Sequence, residues 1–219
     1  MPLHCVFSFF MGLNVLNMNI KDLSPEQVDV LKKYQGNDDA DPEESAEKFN
    51  HFLTIEYYRE MHDLFYEERE NERDVRGNYD DKEEDIFLHM KEEMEKIFSP
   101  EKREKIPKIL YKGINCFDVE SHKLKNLGVN DFFVIPCYCS TSFDECVAKC
   151  FASKNGLVLE ICNESIASFV EMENKPVPYG KAGNRPEAEI LLEKKLKFQI
   201  KETYTKDSLT YYKVIIVHD

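Results

Sequence analysis

Apolar residues recur at helical spacing through the first hundred positions, and short β-prone runs replace them afterwards. Ser24-Pro25-Glu26-Gln27 supplies an N-cap, a proline at the first helical position and a glutamine at the third, so a helix is expected to start there. Its apolar face would be Val28, Val30, Leu31 and Tyr34. Residues 36–45 form an acidic, turn-rich break, after which Phe49, Phe52, Leu53, Tyr57, Met61, Leu64 and Phe65 mark a second amphipathic helix. The stretch 67–85 is almost wholly charged and reads as a solvated helix end and loop, and Ile86, Leu88, Met90, Met94 and Ile97 then mark a third helix.

Beyond Ile106, β-prone runs at 109–111, 132–138, 157–161, 189–192, 198–200 and 211–217 are bounded by Gly, Pro and Asn, with one clear helix at 145–151 between them. The order predicts an α+β fold within a single domain at about 23–219, with a helical lobe at 1–105 followed by a mainly antiparallel β-rich core at 106–219. There is no internal repeat. The apolar stretch 6–18 has no preceding Lys or Arg and is interrupted by Asn14, so it is expected to pack on the core, with a weak signal-like character.

Composition narrows the partners. Of the 219 residues 32% are charged, and the net charge of −13 disfavours nucleic acid and anionic membranes, which would repel it. The one basic cluster, Lys194, Lys195, Lys197, Lys201 and Lys206, reads as a solvated strand face. Seven cysteines without a disulfide rhythm suggest reduced thiols in an intracellular setting, and the Asn163-Glu164-Ser165 sequon is weak evidence for secretion, so delivery outside the cell stays open.

Three short motifs carry chemistry. In Leu110-Tyr111-Lys112-Gly113 a strand ends with a cation that can hold a phosphate beside a glycine that permits close backbone approach; alone, it also reads as a strand running into a turn. Ser140-Thr141-Ser142 follows the run 132–138; Ser142 with Glu145 fits a capping box, leaving Ser140 to hold a carboxylate or a ligand hydroxyl, although a plain surface serine suits the position equally well. In Glu187-Ala188-Glu189 an extended chain would point both carboxylates to one side, although an isolated Glu-x-Glu also suits an exposed edge strand.

In order and spacing these motifs resemble those of the arginine-serine-glutamate class of mono-ADP-ribosyltransferases, which includes catalytic domains of bacterial binary toxins. The likeness continues in Leu31-Lys32-Lys33-Tyr34-Gln35-Gly36, in Phe49-Asn50-His51-Phe52-Leu53, in Phe151-Ala152-Ser153-Lys154 and at 195–200, covering roughly 23–200. It implies two mainly antiparallel sheets under a helical lobe and an enzyme that breaks the nicotinamide bond of NAD and passes ADP-ribose to a protein, with no metal. Glu189 would be the catalytic carboxylate, oriented by Ser140. Glu187 would engage an arginine of the acceptor protein. Phe151 would stack on nicotinamide, and Lys112 and Lys154 would hold the diphosphate. Gly113, Thr141 and Ser142 would complete the NAD site, Tyr34 and Asn50 would line its adenosine side, and the segment 178–185 would contact the acceptor. The family's strand arginine is Lys112 here, and a second expected arginine is Lys154.

A monomer is expected. Two alternatives share the resemblance, a NAD glycohydrolase and a weak or inactive binding module of the same fold. A third, from a different class, is a thiol-metal protein built on Cys137, Cys139, Cys146 and Cys150, whose spacing matches no common zinc pattern. His51 and His122 read as ordinary surface or core residues.

Overall fold

The computed structural model describes residues 20–34, 42–60, 81–115, 124–172 and 188–218. The apolar stretch 6–18, the apolar positions Met61, Leu64 and Phe65, His122, Glu187 and the expected acceptor loop at 178–185 lie outside the described residues.

Helix α1 (Pro25–Tyr34) opens with the expected capping box. The Ser24 backbone N–H donates to Gln27 Oε1 at 3.1 Å, and the Gln27 N–H donates to Ser24 Oγ at 3.2 Å. Helix α2 (Pro42–Glu60) starts earlier than the break at 36–45 suggested, because Pro42 suits a first helical position. Helix α3 (Asp81–Ile97) likewise begins inside the charged run, where acidic residues favour the positive end of the helix dipole. Its buried face is Phe87, Met90, Met94 and Ile97, at three- and four-residue steps, whereas Ile86 and Leu88 are exposed.

These helices meet in an aromatic cluster. The Phe49 ring lies 6.2 Å from Tyr34, edge to face, and 6.4 Å from Tyr138, stacked, while Phe98 lies 5.0 Å from Tyr138. Tyr138 precedes the strand that carries the serines, so this cluster joins the helices to the sheet.

Strands β1 (Glu104–Lys105) and β6 (Ile166–Ala167) form a two-stranded ribbon. The remaining strands are β2 (Leu110–Ile114), β3 (Phe132–Ile135), β4 (Cys139–Ser142), β5 (Leu157–Ile161), β7 (Phe169–Glu171), β8 (Glu189–Leu192), β9 (Leu196–Lys206) and β10 (Leu209–Val217). They form one ladder in the order β3-β9-β10-β5-β2-β4-β8-β7. Among the described strands only β5 and β10 pair in parallel, so the fold is α+β with two mainly antiparallel sheets.

The run expected at 132–138 is divided. Pro136 cannot donate to a ladder, and the chain leaves the sheet there before re-entering as β4. β3 and β4 are separated by residues 136–138 yet stand five places apart in the ladder. Five strand spacings are about 24 Å, whereas that link reaches at most about 14 Å. The sheet must therefore curl so that β3 approaches β4.

Helix α4 (Glu145–Ala152) covers a second, smaller apolar cluster of Ala148, Ala152, Val158, Leu209 and Tyr211. Its backbone rests directly on β2, since a Cβ at Gly113 would lie 2.0 Å from the Ala148 carbonyl oxygen. No helix among the described residues is long and apolar enough to cross a membrane.

Candidate active site

β2 and β4 are neighbours through one residue pair, Tyr111 with Ser142. Beyond it, where Lys112 would face Thr141 and Gly113 would face Ser140 in a continued register, the strands part. A hollow of about 160 Å³ lies at this parting, and its wall includes Lys112, Gly113, Ser140, Thr141 and Ser142. α4 contributes Val147, Ala148 and Phe151, and β8 contributes Glu189.

Glu189 stands opposite Ser142 in the antiparallel β4–β8 pair, with Ser140 two residues along the same face. From there the Ser140 hydroxyl donates to Glu189 Oε1 at 2.7 Å. Glu189 is only 9% exposed, so this bond acts where solvent competes little. The Thr141 hydroxyl points elsewhere and donates to the Ile190 carbonyl across the ladder at 2.6 Å.

The alternation argument for Glu187 and Glu189 does not carry across Ala188. That residue has φ 45°, a left-handed conformation that costs an L-residue about 1 kcal/mol or more. β8 begins at Glu189, so the strand rule that two residues apart share a face does not extend back to 187.

The start of α4 also corrects the sequence reading. Its N-cap is Asp144, which accepts from the Cys146 N–H at 2.8 Å, while Ser142 is the last residue of β4 and accepts from the Asp144 N–H at 3.0 Å. The serine motif lies within a strand, and its last hydroxyl supports the turn into the helix. Phe151 lies one turn after Val147 and is 44% exposed, a ring presented to the hollow.

Tyr34 and Asn50 meet each other, the Asn50 Nδ2 donating to the Tyr34 hydroxyl at 2.9 Å, and neither is on the wall of this hollow. Tyr34 is 3% exposed. Burial, then the nearby charges of Cys137 and Glu189, push its phenol well above the usual range. Lys154 is exposed in the turn after α4 and is not on this wall either. His51 is half-buried, and desolvation lowers its pKa.

Three wall residues have no site role in the sequence reading: Tyr111, which lies inside the first motif, and Val147 and Ala148. Their signal was periodicity, since Tyr111 is two residues from Gly113 on a strand and Val147 is four from Phe151 on a helix. Among the described residues no three His, Cys, Asp or Glu side chains gather to hold a metal. Of the thiols in the metal alternative, Cys137 and Cys139 are buried and Cys146 is exposed.

No protein-family model and no curated protein sequence matches the chain. Solved structures do match. The C3 exoenzyme of Clostridium limosum aligns over 90% of this chain and 87% of its own, at 15% identity and a TM-score of 0.53. The ADP-ribosylating toxin BECa of a binary enterotoxin of C. perfringens, solved with NADH, aligns over 90% of this chain and 45% of its own, at 15% identity and a TM-score of 0.54. The chain has the fold of ADP-ribosylating toxins. Within that fold the hollow lies at the parting of β2 and β4, with the Ser140–Glu189 bond on its wall.

Proposed function

We propose that the chain is a mono-ADP-ribosyltransferase that cleaves the bond between nicotinamide and ribose in NAD and transfers ADP-ribose to an arginine of an acceptor protein. The observation that carries the reading is the carboxylate of Glu189, held by Ser140 at 2.7 Å on the wall of a hollow that also bears a lysine and an exposed phenylalanine. The donor set suits NAD: Lys112 is a point charge for the diphosphate, Gly113 lets the backbone approach, and Phe151 offers a face for the nicotinamide ring. One solved structure of the same fold is an ADP-ribosylating toxin with NADH, which supports the dinucleotide reading.

The chemistry asks for a carboxylate whose attraction grows as the sugar gains positive charge. Glu189 meets that need by accepting from a ribose hydroxyl, and Ser140 fixes the acceptor direction in advance. Thr141 and Ser142 stiffen this strand through their bonds to Ile190 and to the turn into α4. An arginine nitrogen then forms the bond to ribose C1′ as the bond to nicotinamide breaks, and the guanidinium loses a proton. That proton needs a base, and Glu187 of the Glu-x-Glu motif is assigned to it.

Incubation with labelled NAD and arginine-bearing protein tests these roles. Glu189→Ala is expected to lose both transfer and nicotinamide release by at least about 100-fold, and Ser140→Ala both by about tenfold. Glu187→Ala is expected to lose transfer while keeping release. Equal labelling by wild type and all three variants overturns the assignment, and release unaffected by acceptor protein identifies a NAD glycohydrolase instead.

A further inference from the structure

Phe151 is 44% exposed, so its own packing does little to fix its direction; the helix beneath it must do so. Helix α4 sits on β2 through bare backbone at Gly113, and its end passes against Gly156, where a Cβ would lie 1.8 Å from the Ala152 carbonyl oxygen. Such contacts fix how closely the helix approaches, and the buried Val147, Ala148 and Ala152 set which face it turns inward, but small side chains grip weakly against rotation. A directional restraint exists at the other end. Glu145, the first residue of α4, accepts from the Tyr211 hydroxyl at 2.6 Å and from Lys206 Nζ at 2.8 and 2.9 Å. Lys149, one turn further along, lies 3.1 Å from Glu145 and donates to Asp207 at 2.6 Å in the β9–β10 turn. One carboxylate thus ties the start of α4 to β9 and β10.

We propose that Glu145 is a positioning residue for the dinucleotide site: its bonds to Tyr211, Lys206 and Lys149 hold α4 at the rotation that turns Phe151 toward the hollow. The inference rests on the transferase reading above. Glu145 touches neither Glu189 nor Ser140, so its loss acts on binding of the ring rather than on bond cleavage.

Nicotinamide release by the full chain, with NAD affinity measured by calorimetry, tests this. Glu145→Gln and Lys206→Met are each expected to raise KM for NAD about fivefold with kcat within about twofold, and Lys206→Arg to retain the wild-type KM. In a Phe151→Ala background Glu145→Gln is expected to add no further change, because a restraint that works only through the ring has nothing left to position. Lys206 is half exposed, so its replacement keeps the test open if Glu145→Gln fails to fold. An equal rise in KM with and without Phe151, or a fall in kcat at unchanged KM, overturns the positioning role while wild-type turnover leaves the transferase reading standing. A wild-type protein that neither binds NAD nor releases nicotinamide overturns both.

Discussion

A lysine holds a phosphate as a compact charge on a flexible stem, whereas an arginine offers a planar fork that fixes orientation. If Lys112 holds the diphosphate, Lys112→Arg should tighten NAD binding by about three- to tenfold and Lys112→Met should weaken it by at least as much, both read by calorimetry. An unchanged affinity in both variants would remove Lys112 from the site. Gly113 beside it admits no side chain, because the Ala148 carbonyl oxygen occupies the space of a Cβ at 2.0 Å. Gly113→Ala should lower stability by about 3 kcal/mol or more, a fall of roughly 10 °C in Tm by calorimetry. At this scale the sequence was readable where chemistry and spacing coincide: Lys112, Gly113, Ser140 and Glu189 all reach one wall. It was not readable at Ala188, whose φ of 45° nothing in an Ala side chain announces, whereas the burial of Tyr34 follows the apolar face expected of α1.

Elements were legible to the extent that their periodicity is local. α1 announced itself through Ser24 and Gln27, and β5 and β8 through apolar runs that coincide with the observed strands. The face of α3 was misread because Ile86 and Leu88 are apolar yet exposed, and β4 was missed because a Cys-Ser-Thr-Ser strand has no apolar alternation to show. Long-range pairing was invisible from the chain alone. The clearest case is Arg103, which donates to Glu193 through Nε at 2.8 Å and Nη2 at 2.8 Å across 90 residues, while the Ser168 N–H donates to the same carboxylate at 3.0 Å. Glu193 is buried and sits just past β8, so the pair ties the end of the strand carrying Glu189 to the start of the β-rich part. Arg103→Met would leave that carboxylate buried without its cation. The expected cost is about 3 kcal/mol, measured as a lower denaturation midpoint at unchanged slope. A midpoint equal to wild type would mean that the backbone bond alone satisfies Glu193.

For the whole molecule, 42 acidic against 29 basic side chains give a net charge of −13, so acidification first relieves self-repulsion. Groups such as Glu104, whose carboxyl burial pushes up, take protons early and at little cost. Glu145 behaves oppositely. Burial pushes its carboxyl up, but the bonds from Lys206, Tyr211 and Lys149 outweigh burial and hold it at about 2. A pKa lower in the folded than in the unfolded state contributes stability that is complete above the unfolded value of 4.5 and is lost as pH falls toward 2. The restraint on α4 should therefore persist at any pH where NAD chemistry is practical and disappear only in strong acid. Thermal melts of wild type and Glu145→Gln across pH test this directly. Their difference in Tm should be constant above about pH 5, shrink steadily below it and vanish near pH 2, whatever the shape of either curve alone. A difference that stays constant down to pH 2 would mean that Glu145 gains nothing from its charge, and that its partners hold it as they would a neutral side chain.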